Sequence, residues 1–277
     1  MTMLGPRHEA FHALHRSGCF VIPNPWDAGS ARMMAALGAK ALATTSAGFA
    51  FTLGRPDMGQ VSRDEALAHA EAIVAATPLP VSGDFENGFA DAPDDVAETI
   101  RLAAEAGLSG CSIEDTMMAG NNPAYDFDLA VERVRAAASA ARALGRPFVF
   151  CARADGVMNG VYDTDEAIRR IRAFEAAGAD LLYVPLPPDM DSLKRIVDSV
   201  SKPVNALAAG PYVRYSVDEF AALGVRRISV GSAIARATHR VIADTVSAML
   251  DRGDFSPLAN GIKGVDAMLL KGADDDS

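Results

Sequence analysis

Eight short apolar runs, each followed by a segment of helical period and a small-residue turn, predict an α/β chain folded as a single (β/α)8, TIM-type barrel. The runs are 19–23, 41–45, 79–82, 110–113, 148–152, 181–184, 203–206 and 227–230. Each is too short for a buried helix and is bounded by Gly, Pro or polar residues, as parallel strands buried on both faces are. Eight such units within 277 residues agree with the ~250 residues this barrel usually takes. The alternative is a doubly wound open sheet, but the GxGxxG turn of its dinucleotide-binding form is absent from the sequence.

The elements between the strands follow in order. Residues 1–18 are read as an N-terminal helix ahead of the first strand. Segment 62–76 places Ala66, Ala70, Ile73 and Val74 on one side, and 126–144 and 163–177 repeat the same i, i+3, i+4 recurrence. Ser62 stands three residues before Glu65, and Asp163 or Thr164 precedes Asp165-Glu166, so both segments carry N-terminal caps. The helices end at 35–39, 105–108, 176–180 and 222–225, where Gly is expected to take the left-handed conformation before the next strand. With no Gly/Ser linker and no break in composition, residues 1–277 read as one domain, with 251–277 as a C-terminal extension. In that extension 265–271 is expected to form a short helix, its Met268, Leu269 and Leu270 docking on the barrel or on another subunit. The acidic end is expected to fray.

Composition excludes several classes. The chain is 49% hydrophobic and 22% charged, which is globular, and no apolar stretch approaches the roughly 18 residues of a membrane span. A net charge of −10 without a Lys/Arg cluster argues against nucleic acid as a partner. Cys19, Cys111 and Cys151 lie in strand-like runs without CxxC spacing and read as small buried hydrophobes rather than disulfides or zinc ligands. The first 18 residues lack the apolar core of a secretory signal, so a cytoplasmic protein is expected.

A barrel places its chemistry at the C-terminal strand ends. There the sequence offers Asp84 and Glu86, then Glu114-Asp115, then Arg153-Ala154-Asp155, beside Ser46-Ala47-Gly48 and Asn205. Asp84 and Glu86 are two apart and would point the same way on an extended strand. Clustered carboxylates repel unless a hard cation such as Mg²⁺ neutralises them. Arg153 offers a bidentate fork for a substrate carboxylate, and Ser46 with the Ala47 and Gly48 main chain would hold the other end. Each has a plainer reading. Asp84 and Glu86 would cap a helix starting near Pro93, Arg153 would pair with Glu114 or Asp115, and Asn205 reads equally as a turn residue. Asp27 is read as a helix cap rather than a catalytic group. All five histidines fall in helical or terminal segments, so Ser–His–Asp chemistry fits poorly.

These residues resemble the isocitrate lyase/phosphoenolpyruvate mutase superfamily from Pro23 to about Arg240. The motifs are Leu53-Gly54-Arg55-Pro56-Asp57, Asp84-Phe85-Glu86-Asn87-Gly88-Phe89 with Glu for the second Asp, Ile113-Glu114-Asp115, and Ala152-Arg153-Ala154-Asp155 with Ala for Thr. The resemblance implies a homotetramer (or dimer) whose eighth helix is exchanged between subunits, and a bound Mg²⁺ that engages a small carboxylate substrate. It makes Asp84 the direct metal ligand, with Asp57, Glu86 and Glu114 acting through water. Arg153 and Ser46-Ala47-Gly48 would grip the substrate.

The lid after Ile113-Glu114-Asp115 departs from the lyases, whose acid/base is a cysteine. Here it reads Thr116-Met117-Met118-Ala119-Gly120-Asn121-Asn122-Pro123, and Asn122 stands at the cysteine position. An amide does not transfer protons usefully near neutrality. The phosphonopyruvate-processing members have Asn at that point but carry lysines missing here. The expectation is therefore Mg²⁺-dependent cleavage of a C–C or P–C bond in an oxaloacetate- or phosphonopyruvate-like 2-oxo acid. The alternatives are an isocitrate- or methylisocitrate-type lyase with a replaced acid/base, and a non-catalytic carboxylate-binding barrel.

Overall fold

The computed structural model describes residues 5–273, so the last acidic residues of the tail, 274–277, lie outside the described residues. Eight parallel strands form one sheet in the order β1-β8-β7-β6-β5-β4-β3-β2. They are β1 (Phe20–Ile22), β2 (Leu42–Ala43), β3 (Val81–Asp84), β4 (Gly110–Glu114), β5 (Val149–Arg153), β6 (Leu181–Tyr183), β7 (Val204–Leu207) and β8 (Arg227–Ser229). Between β1 and β2 the Ala43 N–H donates to the Pro23 carbonyl (3.1 Å), which brings the two sheet edges together. The fold is the TIM-type (β/α)8 barrel that the alternation predicts. Every strand overlaps its expected run, although β3 starts and ends two residues later.

The helices are α1 (Gly5–Leu14), α2 (Ala28–Ala36), α3 (Ser46–Thr52), α4 (Arg63–Ala76), α5 (Pro93–Glu105), α6 (Phe127–Ala143), α7 (Thr164–Ala177), α8 (Met190–Asp198), α9 (Val217–Ala222), α10 (Ala233–Arg252) and α11 (Val265–Lys271). The caps fall where the side chains announce them. Ser62 and Glu65 form a reciprocal capping box on α4, Asp163 caps α7, and Asp27 caps α2. Gly38, Gly107, Gly178 and Gly224 are all left-handed at helix ends, as expected. Pro93 starts α5, but its cap residue is Ala92 without a side-chain bond, so neither Asp84 nor Glu86 serves as a cap there.

Inward and outward side chains alternate along the strands. The outward set, including Val81, Cys111, Ile113, Phe150, Ala152 and Leu182, packs against the helices in the main core. The inward set fills the barrel in two levels. Near the strand starts lie Phe20, Ala41, Val149 and Leu181, closed from below by Phe11 of α1. Above them come Cys151, Tyr183, Asn205 and Arg227, and then the charged residues of the rim.

The C-terminal region behaves differently. Helix α10 buries only Ala235 and Ala248, and Val21 on the outer face of β1 stays 41% exposed. Helix α11 packs on α2 with Met268 and Leu269 half-buried, whereas Leu270, expected to dock with them, stays exposed.

Candidate active site

The rim is organised around Arg153, the last residue of β5. Its register partner on β4 is Glu114, which puts guanidinium and carboxylate side by side. Arg153 Nη1 donates to Asp84 Oδ1 (2.8 Å), Nη2 lies 3.1 Å from Glu114 Oε1, and Nε and Nη2 form a fork on Asp155 (3.0 and 2.6 Å). The Tyr183 ring lies beneath, 5.1 Å from the guanidinium. Burial opposes charge on Arg153, but Asp155, Glu114 and Asp84 hold it more firmly protonated than usual. Burial pushes the Glu114 carboxyl well above its ordinary range, against the pull of Arg153.

Asp84 is the meeting point of three elements. The Ser46 N–H and hydroxyl both donate to its Oδ2 (2.9 and 3.0 Å), and the Ser112 hydroxyl approaches Oδ1 (3.4 Å). Ser46-Ala47-Gly48 is not a plain turn but the first turn of α3, capped by Thr45, whose Oγ1 accepts from Gly48 N–H (3.2 Å).

Glu86 departs from the expected alternation. The strand ends at Asp84, and Glu86 lies two residues on with φ 43°, so Asp84 and Glu86 are not consecutive inward residues of one strand. Its carboxylate instead accepts from the Gly59 N–H (3.1 and 3.2 Å), tying the loop after α3 to the loop after β3. Burial pushes Glu86 up to about 7, and the nearby charges of Asp84 and Asp57 add to the rise. Asp57 is also raised, first by burial, and its Oδ1 is buried with no hydrogen-bond partner among the described residues.

The remaining expected residues lie further out. Asn122, with φ 50°, closes a turn by donating its N–H to Ala119 O (3.0 Å), and no hydrogen bond among the described residues joins its side chain to the carboxylates. Asn205 is fully buried inside β7 rather than in a turn. It bonds Ser229 Oγ (3.0 Å) and accepts from Arg227 Nε (2.7 Å), one level below the rim.

Two further acids, Asp155 and Asp115, were legible as strand-end residues, but their partners were not. Asp155 holds the Arg153 fork. Asp115, the neighbour of Glu114, points the other way. It accepts from Asp155 N–H (2.8 Å), Tyr162 OH (2.7 Å) and Arg170 Nη1 (3.1 Å), a buried brace beneath the rim. Nothing local marks Tyr162 or Arg170, because both reach Asp115 only through the closure of the barrel. A cleft of about 710 Å³ adjoins Glu86, walled by Val61, Phe89, Met117 and Met118.

The acids suit a hard divalent cation by their chemistry: all donors are oxygen, Asp57 keeps a buried oxygen without a partner, and Asp57, Asp84 and Glu86 repel one another. Among the described residues no three acids converge closely enough to hold an ion alone.

Comparison with known proteins identifies the family. A family model described as phosphoenolpyruvate phosphomutase matches residues 11–250. An oxaloacetate decarboxylase of Paraburkholderia xenovorans is 30% identical over 242 residues, covering 83% of this chain and 78% of the relative. A solved structure from Burkholderia cenocepacia J2315 is 48% identical with a TM-score of 0.91, covering 95% of this chain and 94% of that one. An oxaloacetate acetylhydrolase solved with its product oxalate shares the fold, with a TM-score of 0.85 at 24% identity over 96% and 94% of the two chains. The chain therefore belongs to the phosphoenolpyruvate phosphomutase family, within the isocitrate lyase/phosphoenolpyruvate mutase superfamily of enzymes.

Proposed function

We propose that this protein is a Mg²⁺-dependent enzyme that cleaves a C–C or P–C bond of a small oxaloacetate- or phosphonopyruvate-like 2-oxo acid through an enolpyruvate-like intermediate. The observation that carries this reading is the Arg153 guanidinium among Asp84, Glu114 and Asp155, which come from three consecutive strand ends. Asp84, Glu86 and Glu114, with Asp57, would hold the cation, Asp84 directly. When bound, a divalent ion supplies Lewis-acid stabilisation of negative charge on a 2-oxo oxygen.

The chain's own residues bind and orient the substrate. Arg153, kept charged and buried, would pair with the substrate carboxylate and stabilise developing enolate charge. Ser46, with the Ala47 and Gly48 main chain, would take the opposite end, and Asp57 would orient from its buried position beside Asp84. The lid from Thr116 to Pro123 would shield the bond being broken, with Asn122 offering an amide to hold the substrate rather than to move a proton. Decarboxylation asks least of such a lid: CO₂ leaves and solvent protonates the enolate. The kinship to an oxaloacetate decarboxylase supports this order of preference.

The test is product analysis of a panel of 2-oxo and phosphono acids, with Mg²⁺ present and chelated. Pyruvate release from oxaloacetate above the buffer-plus-metal background, lost on chelation, is expected. Glyoxylate from a 2-hydroxy tricarboxylate would assign the lyase chemistry instead. No metal-dependent product from any member would leave the non-catalytic barrel as the answer.

The same reading includes assembly as a homotetramer or dimer. Helix α10 is almost unburied, and its Val241, Ile242 and Leu250 are 65%, 58% and 79% exposed, a face suited to exchange with a second copy of the chain. Light scattering behind size exclusion would test this, a monomer counting against it. Unpaired Cys19, Cys111 and Cys151 are in keeping with a cytoplasmic setting.

A further inference from the structure

Four arginines are buried on or against the barrel, and two of them, Arg153 and Arg170, are paired with carboxylates. Arg133 donates to the carbonyls of Asn87, Ala90 and Asp91. Arg170 pairs with Asp115 and Glu166 and donates to Tyr125 O. Arg227, on β8, also lacks an acid among the described residues, and unlike Arg133 it does not have its donors taken up by main-chain carbonyls. It is 4% exposed, no carboxylate among the described residues lies within ion-pair distance, and its Nη1 has no hydrogen-bond partner. Its Nε donates to a neutral partner, Asn205 Oδ1 (2.7 Å).

A buried cation without a counter-charge is destabilising, so a purely structural filler at this level would be aliphatic, as barrel interiors usually are. The position explains it. Cys151, at the same level, lies two residues before Arg153 on β5, so Arg227 sits about one layer, ~7 Å, beneath the rim. Strand register leads from it to the rim: Arg227 pairs with Asn205 on β7 and donates to it, Asn205 pairs with Tyr183 on β6, and Tyr183 pairs with Arg153 on β5, its ring 5.1 Å from the guanidinium. At the top, three carboxylates already surround one guanidinium, and an arriving carboxylate substrate adds further negative charge.

We infer that Arg227 is a positioning residue for the anion site: a fixed positive charge beneath Arg153, without an ion-pair partner of its own among the described residues, that offsets the charge of an entering 2-oxo acid and steadies Arg153 through Asn205 and Tyr183. Burial lowers the Arg227 pKa, and repulsion from Arg153 adds to the fall. The inference rests on the reading that Arg153 faces the substrate.

The experiment is calorimetric titration of the full chain with oxalate and Mg²⁺, paired with thermal unfolding of the same samples. Arg227→Met should weaken oxalate binding about tenfold, the effect of one charge ~10 Å away at an effective dielectric constant of about 20. Its melting temperature should be unchanged or higher, and Arg227→Lys should keep the affinity within about threefold, since the charge remains. Asn205→Asp gives Arg227 a permanent counter-charge without removing it, and should reproduce the loss of affinity if the methionine variant fails to fold. Oxalate affinity unaltered in Arg227→Met or in Asn205→Asp overturns the inference, as does a loss that falls in step with melting temperature and is not rescued by Lys. No Mg²⁺-dependent oxalate binding by the unaltered protein overturns the anion-site reading itself, and the inference with it.

Discussion

The two ends of the barrel are built on opposite physical terms. At the N-terminal end α1 closes the strands with Phe11, which is fully buried against Phe20, Val149 and Leu181. The two buried histidines there are held neutral, first by burial and then by the nearby Arg146 and Arg227: His8 Nδ1 shares a hydrogen bond with Ser109 Oγ (2.9 Å), and His15 Nδ1–H donates to Phe11 O (2.8 Å). At the C-terminal end, Asp84, Glu86, Glu114, Asp115, Asp155 and Arg153 share a few buried layers. Backbone strain follows the same division. Met58, Glu86, Phe89, Asn122 and Leu186 are the non-glycine residues with left-handed φ among the described residues, and all lie in loops on the C-terminal side. At the opposite end glycines adopt that conformation without a side-chain penalty. Stability is concentrated below and strain and charge above, the usual division where a rigid scaffold presents a reactive rim.

Changes at the rim should cost function first. Arg153→Ala is expected to lower turnover of an active 2-oxo acid by at least about 100-fold, as removal of a preorganised charge stabiliser does. Asp84→Ala should abolish metal-dependent turnover. The Arg153 variant should also lose about 3–5 kcal/mol in urea unfolding at neutral pH, because three buried carboxylates lose their cation. Turnover equal to the unaltered protein in both variants would remove the distinction between the ends.

At the floor the expectation reverses. Phe11→Ala should cost about 3–5 kcal/mol of unfolding free energy while kcat changes by less than about threefold. A large fall in kcat without loss of stability would show that the floor takes part in the chemistry.

In metal-free protein the two ends should also titrate in opposite senses. Burial lowers His8 from 6.5 to about 4 and His15 to about 3, so their neutral forms contribute stability that is fully present above pH 6.5 and lost as pH falls toward 4. Glu86 is raised from 4.5 to about 7 and Asp115 from 3.8 to about 6, so between those limits the folded chain binds more protons and the rim gains stability as pH falls. Unfolding free energies between pH 4 and 8 should therefore lose slope below 6.5 in His8→Gln and between 4.5 and 7 in Glu86→Gln. Unchanged slopes in both would refute the assignment. The smallest effect concerns Asp27, which lies on the rim side but caps α2 through Ser30 N–H (2.6 Å). Asp27→Ala should cost about 1 kcal/mol with kcat unchanged.

Much of this contrast was legible before any coordinates. The eight apolar runs, the Ser62–Glu65 box, the Asp27 and Asp163 caps and the helix-end glycines are local signals, and each fell where the sequence placed it. The rim acids and Arg153 were readable as strand-end residues. Less readable was Glu86, which lies two residues past the end of the strand, where alternation no longer applies. Asn205 looked equally like a turn residue or a substrate contact, and proved to be a buried strand residue holding Arg227.

What the sequence determined by itself is therefore the set of elements and the side on which the acids gather, because periodicity, capping and turn chemistry act over a few residues. Which group meets which was decided by tertiary structure alone. Arg153 forks onto Asp155, Arg170 takes Asp115 from 55 positions away, and Arg227 is left without an acid. Those pairings depend on strand register and barrel closure, which bring distant residues within 3 Å of one another through contacts that no local window contains.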